Sequence, residues 1–406
     1  MEKRAPIRGY QILLVGLLVS VFLLSTTFQV KAEKVRGVTD TTIKCGIVGD
    51  LTGPIAIIWQ AALEALKTHT TYVNETGGIH GRKFVHLVED DRYSIPMALS
   101  AFKKLIFRDQ VLILFAASGV GHTHAIIPLA EKNKVPMIAQ TNDRRYFNPV
   151  RRYIFTALPF YEDQIELIFE YIFRDLKAKN PTIALAYPDT AAGNISRDLC
   201  RKLVKVFKPN GYVETVISVG AGDFTSQILS LKRSDPDYVI IHGYIDSTAA
   251  FLRDAYKLRF KSNFITIQYA CDDDTLRLAG VAARNLIGTN AFCSWDDDCP
   301  GMAKVKRIIM KYRPENKYTN RNFLNGWFAF MLIHKALENA GRNLTPETVV
   351  EGFEKIQDFD TEGICGVVSY GPDDHKSIDY SRFYKADVDK RQFVPITGWR
   401  RPTVKY

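Results

Sequence analysis

A chain of 406 residues with 46% hydrophobic and 24% charged residues is too long for one ordinary core, has apolar material for two, and shows no low-complexity signature. Its formal charge of +10 is scattered, with Lys103-Lys104, Arg144-Arg145 and Arg151-Arg152 standing apart, so the clustered basic stripe of a nucleic-acid reader is absent from the sequence. After one apolar run near the N-terminus, no stretch is long and apolar enough to span a bilayer.

That first run has the grammar of an export signal. Lys3, Arg4 and Arg8 precede an apolar segment, Ile12 to Leu24, and Val30-Lys31-Ala32 reads as a small-x-small cleavage site. The expectation is a signal peptide over 1–32, cleaved near Ala32, and a periplasmic location. Without it the chain carries 50 basic and 43 acidic residues, a net of +7. All six cysteines, Cys45, Cys200, Cys271, Cys293, Cys299 and Cys365, then lie in the exported part, where disulfides form. Cys293 and Cys299 flank the short loop SWDDD, a spacing that suits a local staple, and the other pairings stay open.

From Ile43 onward β-prone runs alternate with helical ones. Ile43–Val48 leads into GDLTGP and a helical stretch that ends at Gly77-Gly78. Phe84–Glu89 reads as a strand, Pro96–Arg108 as a helix, Val111–Phe115 as a strand, His122–Asn133 as a helix and VPMIAQ as a strand. RRYIFTALP bridges to a second series, with helices expected over Tyr161–Lys177, Ser196–Phe207, Phe224–Lys232 and Ser247–Leu258. The strands between them are TIALAY, Val213–Val219, YVIIHGY and FITIQ. Helical patterns over Met302–Arg313 and Phe323–Ala340 return the chain to the first series. Such alternation implies parallel sheets with helices on both faces.

Several stretches carry a family resemblance: GDLTGP, then Val73-Asn74, Gly77-Gly78-Ile79, Gly81-Arg82-Lys83 and Asp90-Asp91, followed by segments such as GDFTSQILSLKRSDPD and GICGVVSYGPDDHK. Over roughly Ile43–Val394 the chain resembles the branched-chain amino-acid type of periplasmic substrate-binding protein. The resemblance implies an α/β fold of two doubly wound parallel-sheet lobes joined by a three-strand hinge. The expected division is 33–155 plus 286–364 for the first lobe and 156–285 plus 365–406 for the second. It implies a soluble, monomeric binding component of an ABC uptake transporter that closes on a ligand and docks on a membrane permease. The alternative of the same fold is a ligand sensor that signals instead of transporting.

In open parallel sheets, ligands bind beyond the carboxyl ends of the strands. The first-lobe candidates are therefore Ser118 and Gly119 after VLILF and Gln140, Thr141 and Asn142 after VPMIA, both before helices whose free N–H groups suit a carboxylate. Trp59 is a candidate wall. The second-lobe candidates are Ala192 in the loop after TIALAY, Tyr244, Gln268 and Tyr269. Amino-acid binders of the resembled family tend to carry a Tyr near Ala192 and an acid near Gln268, and this chain departs at both places. A buried ammonium without a charge partner is costly, so the ligand is expected to be a carboxylate, either an amino acid or an acid lacking the amine.

Catalytic and metal chemistry find no support in the sequence. Ser118 lacks the flanking glycines of a nucleophile elbow, and no Walker motif or CxxC occurs. The acid triplets Asp272–Asp274 and Asp296–Asp298 lack the glycines and alternation of a calcium loop. No cofactor, metal or catalytic residue is expected.

Overall fold

Apolar runs that are buried on both faces are what a parallel sheet covered by helices requires. The computed structural model, which describes residues 35–140, 142–315 and 319–404, contains two such sheets within one unit, Arg36–Tyr406. The expected signal peptide and Thr141 lie outside the described residues. Among the described residues no helix is long and apolar enough to cross a membrane.

The first sheet has the order β2-β1-β3-β4-β5, all neighbours parallel: β1 (Thr42–Gly49), β2 (Lys83–Asp90), β3 (Ile113–Ala116), β4 (Met137–Ala139) and β5 (Ile154–Thr156). Its crossover helices are α1 (Ala56–Glu75), α2 (Ile95–Lys103) and α3 (Val120–Lys132). The second sheet has the order β12-β11-β10-β9-β8-β6-β7. Here β6 (Thr182–Tyr187), β7 (Gly211–Val216), β8 (Tyr238–Ile241), β9 (Asn263–Thr266) and β10 (Leu286–Asn290) run parallel. β11 (Arg382–Asp387) and β12 (Gln392–Pro395) add an antiparallel edge. Its helices are α4 (Tyr161–Glu170), α5 (Ala191–Phe207), α6 (Thr225–Ser234), α7 (Ile245–Lys257) and α8 (Asp273–Ala279). The later helices α9 (Pro300–Tyr312), α10 (Arg321–Ala340) and α11 (Pro346–Glu354) return to the first lobe, where α9 and α10 pack on α1 and α11 packs on α10. The fold class expected from the sequence is the fold observed.

Gly326 sets the closeness of the α10–α1 contact, because a Cβ there would lie 2.7 Å from the Ala62 Cα. The many turn-formers after α1 serve a similar purpose. Gly78 has φ +70°, and a side chain on it would meet the Arg82 carbonyl at 2.2 Å. Ile79 and Arg82 exchange both backbone hydrogen bonds, and the Asn74 amide binds the N–H and C=O of Phe84. The helix end is thereby tied to β2, which pairs at the edge of the sheet.

The chain crosses between lobes three times. The crossings are 157–160 from β5 to α4, 291–299 from β10 to α9, and 377–381 after Lys376, which still bridges Thr156 at the edge of the first sheet. The resemblance placed the second crossing at 285/286 and the last near 365, but β10 (Leu286–Asn290) pairs with β9 and belongs to the second sheet. Residues 365–376 instead stay with the first lobe, where the Tyr370 hydroxyl donates to the Thr156 carbonyl at 2.7 Å and the Thr156 N–H to the His375 carbonyl at 3.1 Å. A second difference is the start of α5, five residues before Ser196. The Thr190 hydroxyl caps it by accepting from the Gly193 N–H at 3.2 Å, so Ala192 sits in the first helical turn and not in a loop.

His242 is fully buried at the end of β8, with its Nδ1 2.7 Å from the Ser196 hydroxyl, and burial pushes its pKa down to about 3. The folded state therefore keeps it neutral, whereas the unfolded chain takes up a proton below about pH 6.5. Its contribution is present above that pH and is lost as pH falls toward 3. Half-buried Glu162 and fully buried Asp272, both raised to about 7 by desolvation, act in the opposite sense, so the test is a difference. The destabilisation caused by His242→Gln, from urea melts, should shrink by about 2 kcal/mol between pH 7.5 and pH 5. An unchanged difference would mean that His242 is protonated in the folded chain.

Candidate functional site

The strand order reverses beside β1 and β3 in the first sheet and beside β6 and β8 in the second, which are the places where such sheets hold ligands. Loops from the carboxyl ends of both sheets meet there. After β1, the Asp50 carboxylate accepts from the Gly53 N–H at 2.5 Å and the Ile55 N–H at 2.9 Å, and Asp90 accepts from the Leu51 N–H at 2.9 Å and the Thr52 hydroxyl at 2.6 Å. These two acids fold GDLTGP into the entry of α1. Trp59 then lies against Gly49, where a Cβ would come within 2.1 Å of the ring, and edge-on to Phe115 at 5.5 Å. It is a core residue and a cavity wall at once.

The cavity is lined on its apolar side by Ile55, Ile58, Trp59 and Ala62. Ser118, Gly119, Gln140 and Asn325 supply polar groups from the first lobe, and Tyr161, Tyr244 and Tyr269 close it from the second. The remaining free space is about 20 Å³, room for a single water-sized group. No charged side chain is among these lining residues. A larger depression beside Asp237, Arg259 and Asn263 lies at the opposite, N-terminal ends of the second sheet's strands and is open to solvent.

Tyrosine hydroxyls run through the centre. The Tyr93 and Tyr244 hydroxyls are 3.2 Å apart, Tyr161 is hydrogen-bonded to both Tyr244 and Tyr269, and the Tyr269 hydroxyl donates to Asn142 Oδ1 at 2.9 Å. Burial pushes all four phenols up, so they stay protonated at any physiological pH. Tyr93 and Asn142 belong to the first lobe and the other three to the second, so two of these bonds cross the cleft.

Of the residues expected from sequence, Trp59, Ser118, Gly119, Gln140, Tyr244 and Tyr269 come together around the cavity. Asn142 is fully buried behind it, with its Nδ2 donating to the Pro159 carbonyl at 2.6 Å, and it positions Tyr269. The Gln268 backbone N–H donates to Gln164 Oε1 at 3.0 Å, and its own side-chain Oε1 is buried without a partner. Ala192, in the α5 turn, is absent from the lining. Tyr93, Tyr161 and Asn325 were not expected. Tyr93 follows the Asp90-Asp91 pair at the carboxyl end of β2, and the rule used for β3 and β4 would have found it there.

Ser118 has a different partner from the one expected. Its hydroxyl donates to Asp91 Oδ1 at 2.5 Å and its N–H to Asp91 Oδ2 at 3.3 Å. Asp91 is fully buried, and burial raises its pKa against these bonds. The open polar atoms are Gln140 Nε2, a donor, and Asn325 Oδ1, an acceptor, both buried without a partner. Asp272, also buried, is held by the Asn322 N–H at 3.3 Å and Nδ2 at 2.9 Å. It is the N-cap of α8 and is not among the lining residues.

Comparison with known proteins agrees with this architecture. A Leu/Ile/Val-binding protein, BraC3, of Rhizobium johnstonii is 22% identical over 86% of this chain and 92% of its own length. A leucine-, isoleucine-, valine-, threonine- and alanine-binding protein of Pseudomonas aeruginosa is 23% identical over 84% of this chain and 89% of its own. Among solved structures, a branched-chain amino-acid ABC transporter protein from Thermus thermophilus with bound valine superposes with a TM-score of 0.83, at 23% identity over 90% of this chain and 97% of that one. A fatty acid ABC transporter substrate-binding protein from Thermomonospora curvata superposes with a TM-score of 0.79, at 20% identity over 91% and 95%. Residues 42–392 match the family described as periplasmic binding protein, and the chain belongs to that family.

Proposed function

We propose that this chain is the monomeric solute-binding component of an ABC uptake transporter, which takes a small molecule between its lobes, closes on it and presents the closed form to a membrane permease. The observation that carries the reading is the cavity itself, lined mainly by the first lobe, closed by three tyrosines of the second, and bridged by Tyr93–Tyr244 and Asn142–Tyr269. A ligand larger than water must part these bridges to enter, so capture is coupled to hinge motion. The moving units are the two sheets with their helices, turning about 157–160, 291–299 and 377–381.

The ligand proposed here carries no α-ammonium. Every cavity-lining side chain is uncharged, and the nearby acids Asp91 and Asp272 are committed to Ser118 and Asn322. Its head group is a carboxylate, held by Gln140 Nε2 and the tyrosine hydroxyls. An uncharged amide head is the second reading. It is favoured by the open acceptor on Asn325 and by the Asp91 carboxylate behind Ser118, which repels a second anion.

A thermal-shift screen of the purified protein tests both. Amine-free short acids, their primary amides and the matching amino acids, at 100 times the dissociation constant, should each stabilise by about 2.7 kcal/mol if bound. Acids responding while amino acids stay silent supports the first reading, amides alone the second, and amino acids alone overturns the amine-free ligand. Gln140→Ala should weaken whichever ligand binds by about 10-fold or more, measured by calorimetry, since it removes the open buried donor. Unchanged affinity would remove Gln140 from the site.

A further inference from the structure

Cys45, Cys200, Cys271 and Cys365 are buried free thiols with other partners. Cys45 and Cys365 donate to the carbonyls of Gly46 and Gly366, and Cys200 and Cys271 meet Tyr212 and Arg321. Cys293 and Cys299 differ, because their thiols are unbonded but hydrogen-bonded to each other. The chain between them reverses tightly. Asp297 N–H donates to the Ser294 carbonyl at 3.2 Å, while the Ser294 N–H and hydroxyl donate to the Asp297 carboxylate at 3.1 and 2.8 Å. This turn folds Cys299 back beside Cys293.

The pair occupies the second interlobe crossing. Cys293 N–H donates to the Ile364 carbonyl at 2.8 Å, and Gly301 N–H to the Glu362 carbonyl at 2.8 Å. Between those anchors, Cys299 presses on Gly363, where a Cβ would lie 2.8 Å from its own. On the other side Asp297 pairs with Arg382 of β11, in the second sheet. The loop is therefore fastened to both lobes.

We propose that Cys293 and Cys299 are an oxidation site that closes to an intramolecular disulfide and staples this crossing. Cys299 is half-exposed and Cys293 buried at 1% exposure, so only Cys299 meets an external oxidant. The hydrogen bond from Cys293 holds the Cys299 thiol down at about 6, which keeps it largely as the thiolate that attacks. The oxidant is a disulfide, either of a small thiol such as oxidised glutathione or of a protein oxidoreductase. Cys299 Sγ attacks one of its sulfurs, forming a mixed disulfide and expelling the other as thiolate. Cys293 then gives up its proton and attacks Cys299 Sγ, the Cys293–Cys299 bond forms, and the second thiolate leaves. The two cysteines lose two electrons and two protons, and the oxidant becomes two thiols.

Both cysteines lie between Arg284 and Lys304 with no lysine or arginine among them, so trypsin releases them in one peptide. The full-length protein, equilibrated in an oxidised/reduced glutathione buffer, denatured with iodoacetamide and digested, should give that peptide without label. Two labels should appear only after reduction. Two labels before reduction, or glutathione on Cys299 with Cys293 labelled, overturns the staple. In Cys293→Ala, Cys299 should collect one glutathione under the same conditions, and in Cys299→Ala, Cys293 should collect none while the protein is folded. The reverse pattern overturns the order of attack. The mapping on the unmutated protein stands even where a variant fails to fold.

Discussion

Two hydrogen bonds, Tyr93 to Tyr244 and Tyr269 to Asn142, span the cavity from one lobe to the other. Each is worth about 0.5–1.5 kcal/mol net, and bonds outside the cavity, from Asn322 to Asp272 and from Arg144 to Asp163, also join the lobes. The second-lobe ends of both bridges, Tyr244 and Tyr269, also line the cavity, so an incoming ligand competes with the groups that hold the lobes shut.

Those bridges exist because rigid frames aim them. Tyr244 is the N-cap of α7, and its backbone N–H is held by the Ser247 hydroxyl at 3.2 Å. Asn142 spends its amide on Pro159 and its carbonyl oxygen on Tyr269, while its backbone carbonyl accepts from the Tyr161 N–H at 2.8 Å. One residue of the first lobe thus fixes two tyrosines of the second. Truncating its side chain would take a partner from two buried polar groups, the Pro159 carbonyl and the Tyr269 hydroxyl, and leave the backbone bond to Tyr161 in place.

Sequence reasoning reached the fold because its signals are local. The β/α alternation, the GDLTGP turn and the glycines between α1 and β2 each fix short-range geometry, and the strand-end rule located Ser118, Gln140, Tyr244 and Tyr269. It could not reach Asn325, which stands on α10, nearly two hundred residues after Gln140, and enters the cavity only because Gly326 lets α10 settle on Ala62. Nor could it see that Asp91 would claim Ser118, since that contact depends on how β2 and β3 flank β1. The boundary near 365 came from a motif, whereas Tyr370 and His375 show packing carrying the chain farther before it crosses.

The charge pattern around the cavity follows from the same packing. Asp50, Asp90 and Asp91 cluster at the carboxyl ends of β1 and β2, yet they turn toward backbone N–H groups and hydroxyls of their own lobe: Asp50 to Gly53 and Ile55, Asp90 to Leu51 and Thr52, Asp91 to Tyr93 and Ser118. These carboxylates shape loops and leave the cavity wall to amides and phenols. Closing the lobes on a neutral wall strips water only from groups that find partners in one another, whereas closing on an unpaired carboxylate would carry a desolvation penalty of several kcal/mol. The acids that build these loops are thereby satisfied within their own lobe.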